Sequence, residues 1–330
     1  MLARPIAKVA SAAVVVVFVV LGWFILQVDP VFAGHGKVVA VTVKQGDSMS
    51  TIAATLHRDG VIASPLAYRV YTLIGGPSVL PGTYEIAQGS SFSHIDAIIG
   101  SHNIVSVTPG MTLHEVALDV ANVMGTTFAD GFVTAATNAV TPSPYAQGNS
   151  LEGLIAAGTY NVTPFEAPGQ LVHQMVTGFN AFAVAHGLTP STTLNGLDAY
   201  QLITAASIDE KEGYYTINMP KVARVIYNRL ARGGPLQMDS TVLYYLGQDG
   251  GTVTPADLRL TTPYNTYLHL GLTPTPICTI SSYSLDAVLH APPGPWLYFT
   301  LINRDGQMAF STTFAQQLAN ERLAASRGIK

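Results

Sequence analysis

The chain has 330 residues (34.9 kDa), 16 Lys+Arg against 20 Asp+Glu, one Cys, a formal net charge of −4 and a mean hydropathy of +0.32. Its 48% apolar content excludes a disordered chain, and one Cys excludes an internal disulfide framework. The lack of basic excess argues against a nucleic-acid partner. Charged residues make up only 11%, where about 25% is usual, so the surface relies on Ser, Thr, Asn, Gln, Gly and Pro.

Residues 9–28 form an apolar run broken only by Ser11 and Gln27, with VVVVFVVLGWFIL in its middle. A membrane-spanning helix needs about 20 such residues. Arg4 and Lys8 precede the run and no acid comes before Asp29. The positive-inside rule therefore predicts a cytoplasmic tail over 1–8, a transmembrane helix over 9–28 and an extracytoplasmic body held at the cell membrane. The alternative is a cleaved signal peptide, with Val31-Phe32-Ala33 at the cleavage site. Apolar regions of signal peptides usually run about 7–15 residues, shorter than this one. Both readings export the body, whose 14 cations and 20 acids leave a net charge of −6 once Arg4 and Lys8 are set aside.

After a linker (29–37), residues 37–44 read as a strand, with Val39, Val41 and Val43 on one face. Asp47 or Ser48 can cap a helix carrying Ile52, Ala53 and Leu56 on one face, and Gly60 stops it. Residues 65–74 read as a second helix and 82–86 as a second strand. This β-α-α-β order, with Gly-Asp-Ser before the first helix, resembles the LysM peptidoglycan-binding fold and predicts such a module over 38–101. A partial echo spans 103–148. There a strand at 103–107 and a Pro-Gly-Met-Thr turn precede a helix with Leu113, Val116, Ala117 and Val120 on one face.

Residues 125–170 show little periodicity, and 171–184 read as a helix. A helix over 197–213 is followed by one with Pro220 in its first turn, Val222, Val225, Ile226 and Leu230 on its apolar face, and Gly233-Gly234 as its stop. Residues 236–246 mix turn and helix signals. Two short strands, 295–301 and 308–311, flank an Asn-Arg-Asp-Gly turn and predict a hairpin. A helix from Thr313 closes the chain, and the class is α+β with short antiparallel strands.

The sequence lacks a G-x-S-x-G elbow, a P-loop, an H-E-x-x-H pair and a G-x-G-x-x-G turn. The nine His are scattered, and the pairs His94/His102 and His269/His290 are not at close ligand spacing, so neither a metal nor a cofactor is predicted. The notable cluster is Asp209-Glu210-Lys211-Glu212, the last turn of a mainly apolar helix. It can be a solvated helix end. Yet carboxylates at a helix C-terminus oppose the macrodipole, and locally unfavourable choices are enriched at functional sites. A carboxyl group beside a helix C-terminus and an apolar wall has its ionised form disfavoured, which suits it to donate a proton. Tyr264, Asn265 and Tyr267 in TTPYNTY could line a sugar groove, or could serve core packing and turn chemistry.

The chain resembles the YceG-like, or MltG, endolytic murein transglycosylases through LEGLIAAGTY from Leu151, AASIDEKE from Ala205, VARVIYNRL from Val222, LQMDSTVLYYLG from Leu236, TPYNTYLHLGLTPTPI from Thr262, WLYF from Trp296 and FSTT from Phe310. The resemblance implies a membrane-anchored lytic transglycosylase with a mixed α+β catalytic domain over 102–330. It would cleave the β-1,4 bond between N-acetylmuramic acid and N-acetylglucosamine within glycan strands, leaving a 1,6-anhydromuramyl end. Glu210 matches the catalytic glutamate, acting as acid and then as base. Gln237, Asp239, Thr241, Tyr264, Asn265 and Tyr267, from the matching strings, are the substrate-binding candidates. One carboxylate can suffice, because the internal C6 hydroxyl replaces the water that a second carboxylate would activate. Implied partners are glycan strands, the inner membrane and the peptidoglycan synthases.

Several positions depart from the family pattern. Asp209 stands where an aliphatic residue is usual, the family's LEGFLFPDTY is LEGLIAAGTY here, and its GLPPGPI is GLTPTPI. Met308, Gln316, Gln317 and Leu318 stand near places that usually hold a His and a Glu-His-Asn. A non-catalytic wall-binding protein of the same fold and a water-using hydrolase are the competing readings. The charge change at Lys211, the first cation after Arg69, falls inside the catalytic strings and marks no boundary.

Overall fold

The computed structural model describes residues 3–30, 33, 36–44, 46–73, 79, 81–100, 103–138, 142–162, 166–213 and 215–329. Val31 and Phe32 of the cleavage alternative, Ile74 of the expected second helix, and His102 lie outside them. The chain divides into two compact units, one of residues 1–104 with 161–166, the other of 105–160 with 167–330.

The first unit opens with helix α1 (Ala3–Val28), which contains the apolar run. The side chains of residues 3–14 lie outside the description, and among the described residues no helix is long and apolar enough to cross a membrane. Strand β1 (Val38–Val43), helices α2 (Met49–Arg58) and α3 (Pro65–Leu73), strand β2 (Gly82–Ala87) and helix α4 (Phe92–Ile99) follow. β1 and β2 pair antiparallel from Val38↔Ala87 to Val43↔Gly82. Val41 and Val43 face the core with Ile52, Ala53, Leu56, Tyr68 and Ile86, as the period-two and helical patterns require. Ser48, not Asp47, caps α2 by accepting from Thr51 N–H. Helix α4 was not expected. Ser91 caps it, and Phe92, Ile95, Ile98 and Ile99 are buried at helical spacing.

The second unit contains strand β3 (Ile104–Val107) and strand β4 (Gly158–Asn161), except for their end residues Ile104 and Asn161, together with helices α5 (Leu113–Met124) and α6 (Thr126–Thr137). β3 pairs with β4, so the β-α-α-β order of the first unit recurs and reaches past residue 148. Helix α7 (Pro168–Ala185) packs on α6, and the two-residue strands β5 (Thr193–Leu194) and β6 (Leu197–Asp198) lead into helix α8 (Ala199–Glu212). Helices α9 (Met219–Ala231), α10 (Asp239–Tyr245) and α11 (Ser282–Leu289) pack around α8. The strands β7 (Tyr298–Leu301) and β8 (Met308–Ser311) form the expected hairpin, in the register Tyr298↔Ser311, and α12 (Phe314–Ser326) covers it.

α8 is the structural centre of this unit. Ten of its residues are buried, and a capping box between Asp198 and Gln201 starts it. Its buried hydroxyls are satisfied locally: Thr204 donates to Tyr200 O, and Ser207 donates to Thr204 O while accepting from Ile277 N–H at 3.0 Å. The polar side chains of α9 organise the segment 288–297, whose prolines Pro292, Pro293 and Pro295 lack amide donors. Backbone carbonyls there need partners from elsewhere. Arg224 donates to Ala291 O and Pro292 O, Tyr227 to Val288 O, Asn228 to Gly294 O (2.9 Å) and Trp296 O (2.7 Å), and Arg229 to Leu297 O and Leu236 O.

Asn228→Ala strands two of those carbonyls. Thermal or urea denaturation is expected to show a loss of about 1–3 kcal/mol, whereas Arg232→Ala, at an exposed neighbour, should stay within about 0.5 kcal/mol of wild type.

Candidate active site

The last turn of α8 delivers Asp209, Glu210, Lys211 and Glu212. At 100° per residue these side chains cannot share one face, and each takes a different environment. Glu210 is half-buried and turns to the start of α11, where its Oε2 accepts from Ser281 N–H at 2.9 Å and Ser281 Oγ–H at 2.6 Å. Ser281 is the N-cap of α11, so the carboxylate sits where helix amides gather. Glu210 Oε1 makes no hydrogen bond among the described residues. Glu212 turns to α10, where its Oε1 accepts from Ser240 N–H at 3.2 Å and Oγ–H at 2.7 Å. Lys211 pairs with Asp249 at 2.6 Å.

Asp209 points inwards. It is 0% exposed, and among the described residues neither of its oxygens has a hydrogen-bond partner. Burial pushes its carboxyl well above the usual range, with Glu210 and Glu212 adding to the effect. The Ala223 amide opposes this weakly and does not complete a hydrogen bond. Asp209 is therefore held as the neutral acid. Burial also raises Glu212, and the Asp239 charge adds to it, against the two Ser240 donors. Part of the Glu212 side chain reaches water, but its carboxyl is crowded by protein.

The substrate-binding candidates separate into two groups, and among the described residues none hydrogen-bonds Glu210. Gln237 and Asp239 are exposed. Gln237 has φ 50°, the left-handed region, and its N–H donates to Thr266 O at 3.0 Å. Asp239 accepts from the Tyr267 hydroxyl. Glu212, Asp239 and Ser240 line a cavity of about 240 Å3. Tyr264 and Tyr267 are half-buried; Tyr264 shares a 2.9 Å hydrogen bond with Thr275 Oγ and packs against Tyr244 in a tilted pair, ring centroids 5.1 Å apart. Asn265 and Thr241 are fully buried and do not face a groove. Asn265 donates to Leu258 O and Leu260 O and accepts from Tyr267 N–H, while Thr241 donates to Met238 O. Their polar side-chain atoms are engaged inside the protein, where they staple their own loops.

Three residues of this region were missed. Ser281 and Ser240 hold the two glutamates, and the only local signal was a serine at a helix start. Glu152, in the LEGLIAAGTY string, is 4% exposed. It accepts from Leu113 N–H and the Tyr244 hydroxyl, and burial pushes it up to about 7 against those donors. With Tyr244 and Tyr264 it lines a second cavity of about 310 Å3. The free Cys278 is buried and donates its thiol to Ser207 O. Among the described residues no group of three or more His, Cys, Asp or Glu is placed to hold a metal ion.

The fold and site define an α+β protein whose buried helix presents carboxyl groups to shallow cavities. Residues 41–323 match the profile of the YceG-like family, and the chain belongs to that family. An endolytic murein transglycosylase of Bacillus subtilis (strain 168) is 29% identical over 330 residues, covering 92% of this chain and 89% of that protein. Another, from Streptococcus pneumoniae serotype 2 (strain D39 / NCTC 7466), is 24% identical over 324 residues; the match covers 86% of this chain and 57% of that longer protein. The crystal structure of a yceG-like protein from Listeria monocytogenes has the same fold, with a TM-score of 0.60 at 24% identity over 86% of this chain and 99% of that one.

Asp209, raised in the folded state, binds a proton that the unfolded chain releases above about pH 4. Stability therefore falls as pH rises from there towards the folded-state value. Asp209→Leu should gain about 1–3 kcal/mol near pH 8 and less near pH 4, read as melting midpoints across that range. Ser281→Ala keeps the amide donor to Glu210 but loses the hydroxyl and the α11 cap. It should cost about 1 kcal/mol in denaturation experiments and lower kcat by about tenfold.

Proposed function

We propose that this protein is an endolytic lytic transglycosylase of peptidoglycan. It cleaves the N-acetylmuramic acid β-1,4 N-acetylglucosamine bond within glycan strands and leaves a 1,6-anhydro end. The observation that carries the reading is Glu210. Two Ser281 donors fix one carboxyl oxygen and leave the other for a substrate proton, on the helix that also carries AASIDEKE. The names borne by the Bacillus and Streptococcus relatives support the reaction class.

In this mechanism Glu210 Oε1 gives its proton to the glycosidic oxygen as the anomeric bond breaks. The same oxygen then takes the proton of the muramyl C6 hydroxyl as that oxygen closes on the anomeric carbon. Ser281 holds Oε2 throughout, stabilising the carboxylate that exists between the two transfers. The nucleophile is already part of the sugar, so the step avoids the entropy of recruiting a second reactant. Asp209 is sealed inside the protein, and burial together with the Asp239 charge raises Glu212, which supports a mechanism that needs no second carboxylate. Asp239, Gln237, Tyr264 and Tyr267 flank the strand.

The apolar run over 9–28, with Arg4 and Lys8 before it, supports a single-pass anchor with a cytoplasmic N-terminus and an extracytoplasmic body. The β1-α2-α3-β2 unit is the LysM-like module, binding the same polymer. Peptidoglycan synthases that make the strands are the partners.

Digestion of purified glycan strands by the full chain should release fragments ending in 1,6-anhydromuramic acid. Glu210→Gln should lower that rate by about 10²- to 10⁴-fold with an unchanged melting midpoint. Reducing muramic acid ends would mean a hydrolase, and no cleavage by wild type would sink the reading.

A further inference from the structure

Ser281 serves two places at once. Its amide and hydroxyl hold Glu210, and the residue also lines a cavity of about 640 Å3 between the β4 region, α7 and the start of α11. We propose that this cavity is a binding subsite for one neutral N-acetylhexosamine unit of the strand, adjoining the acid; the assignment rests on the transglycosylase reading above.

Pockets that hold small ligands run from about 300 to 1,000 Å3, and this one lies inside that range. Its near wall is Ala156, Ala157 and Gly158, residues with almost no side chain to fill it. That wall is fixed from behind. The Tyr160 hydroxyl donates to Ala156 O at 2.7 Å, and a Cβ at Gly178 of α7 would come within 3.2 Å of the Ala156 Cβ. The space is thus bounded by held backbone.

A hexopyranose has apolar C–H faces and a rim of hydroxyls, and an acetamido group adds a methyl beside an amide. The cavity offers matching surfaces. Tyr283, in the first turn of α11, is 62% exposed, and Phe182 also lines the cavity. Hydroxyls come from Ser282 and Thr159, and His186 supplies a polar edge, its Nδ1 3.2 Å from Asp286 Oδ1. The lining contains no Lys, Arg, Asp or Glu. A muramyl unit bears a lactyl group carrying a carboxylate or a peptide, whereas the glucosamine unit is neutral and unbranched. The uncharged lining favours the latter.

Ser281 and Tyr283 both line this cavity, so a sugar seated in it lies beside the residue that holds the Glu210 carboxyl. The adjoining glycosidic oxygen is thereby brought towards Glu210. Occupancy would also keep α11, and with it the two donors on Oε2, in place.

The test uses the full-length chain in detergent, with triacetylchitotriose and maltotriose as probes and purified glycan strands as substrate. Wild type is expected to bind triacetylchitotriose and not maltotriose. Tyr283→Ala and Ala157→Trp, both at exposed positions, should weaken triacetylchitotriose binding about tenfold and raise KM for strand cleavage equally with kcat nearly unchanged, the sign of lost uniform binding. Wild-type Kd and KM in both variants would overturn the assignment. So would equal maltotriose binding, or a fall in kcat at unchanged KM, which would mean that Tyr283 acts by holding Ser281. Absence of anhydro ends from wild type would instead defeat the transglycosylase reading, while the trisaccharide titration still decides whether the cavity takes the sugar.

Discussion

A helix that is buried along its length must end somewhere, and its ending is the costly part. The last turn leaves carbonyls without intrahelical partners, and α8 adds three carboxyl groups to that already negative end. Bulk water relieves this only in part, because α9, α10 and α11 pack around the helix and Asp209 is fully enclosed. Each carboxyl needs its own donors from the enclosing elements. Ser281 answers Glu210 and Ser240 answers Glu212, each with an amide and a hydroxyl on one oxygen. Lys211 between them reaches out to Asp249. The starts of α10 and α11 are therefore placed by the charge at the end of α8.

Asp209 shows what happens where no donor is supplied. A buried ionised carboxylate without partners costs far more than a protonated one, so the group keeps its proton. The burden of burial falls on this residue and on Glu212, whereas Glu210 stays half exposed with fixed donors on one side only. An isolated reading of the sequence DEKE could not separate these fates. It gave three acids in four positions, and the helix angle alone told only that they diverge.

Much of the fold was legible because its signals are local. Val41 and Val43, Ile52 and Leu56, and the apolar face of α9 repeat at the periods that strand and helix impose. The hairpin over 298–311 followed from its Asp-Gly turn. The helices α4, α6 and α11 were not seen. α6 and α11 are built from small and polar residues whose apolar stripe is thin, and α4 is two turns long. The omission of α11 mattered most, since it brings Ser281 to Glu210 from 71 positions away in sequence. The strings that carry the family resemblance turned out to do mixed work. VARVIYNRL anchors a proline-rich segment, and in PYNTY the Asn265 side chain staples its own loop, while Tyr264 lines a cavity and Tyr267 donates to Asp239.

Glu210 and Glu212 are near equivalents in local geometry, each held by a serine amide and hydroxyl close to a helix start. What distinguishes them is the space and charge around the serine. Ser240 follows Asp239, whose charge raises Glu212, and the cavity they share is about 240 Å3. Ser281 opens on about 640 Å3 with an uncharged lining. A general acid must meet a bulky, neutral glycosidic oxygen in the geometry of attack. It must also spend part of the cycle as an anion without a rival carboxylate beside it. In the proposed mechanism these demands favour Glu210, whose serine borders the larger, uncharged cavity, over Glu212, whose serine follows a charged Asp239. The proposed choice of acid thus rests on what encloses the serine at the buried end of α8.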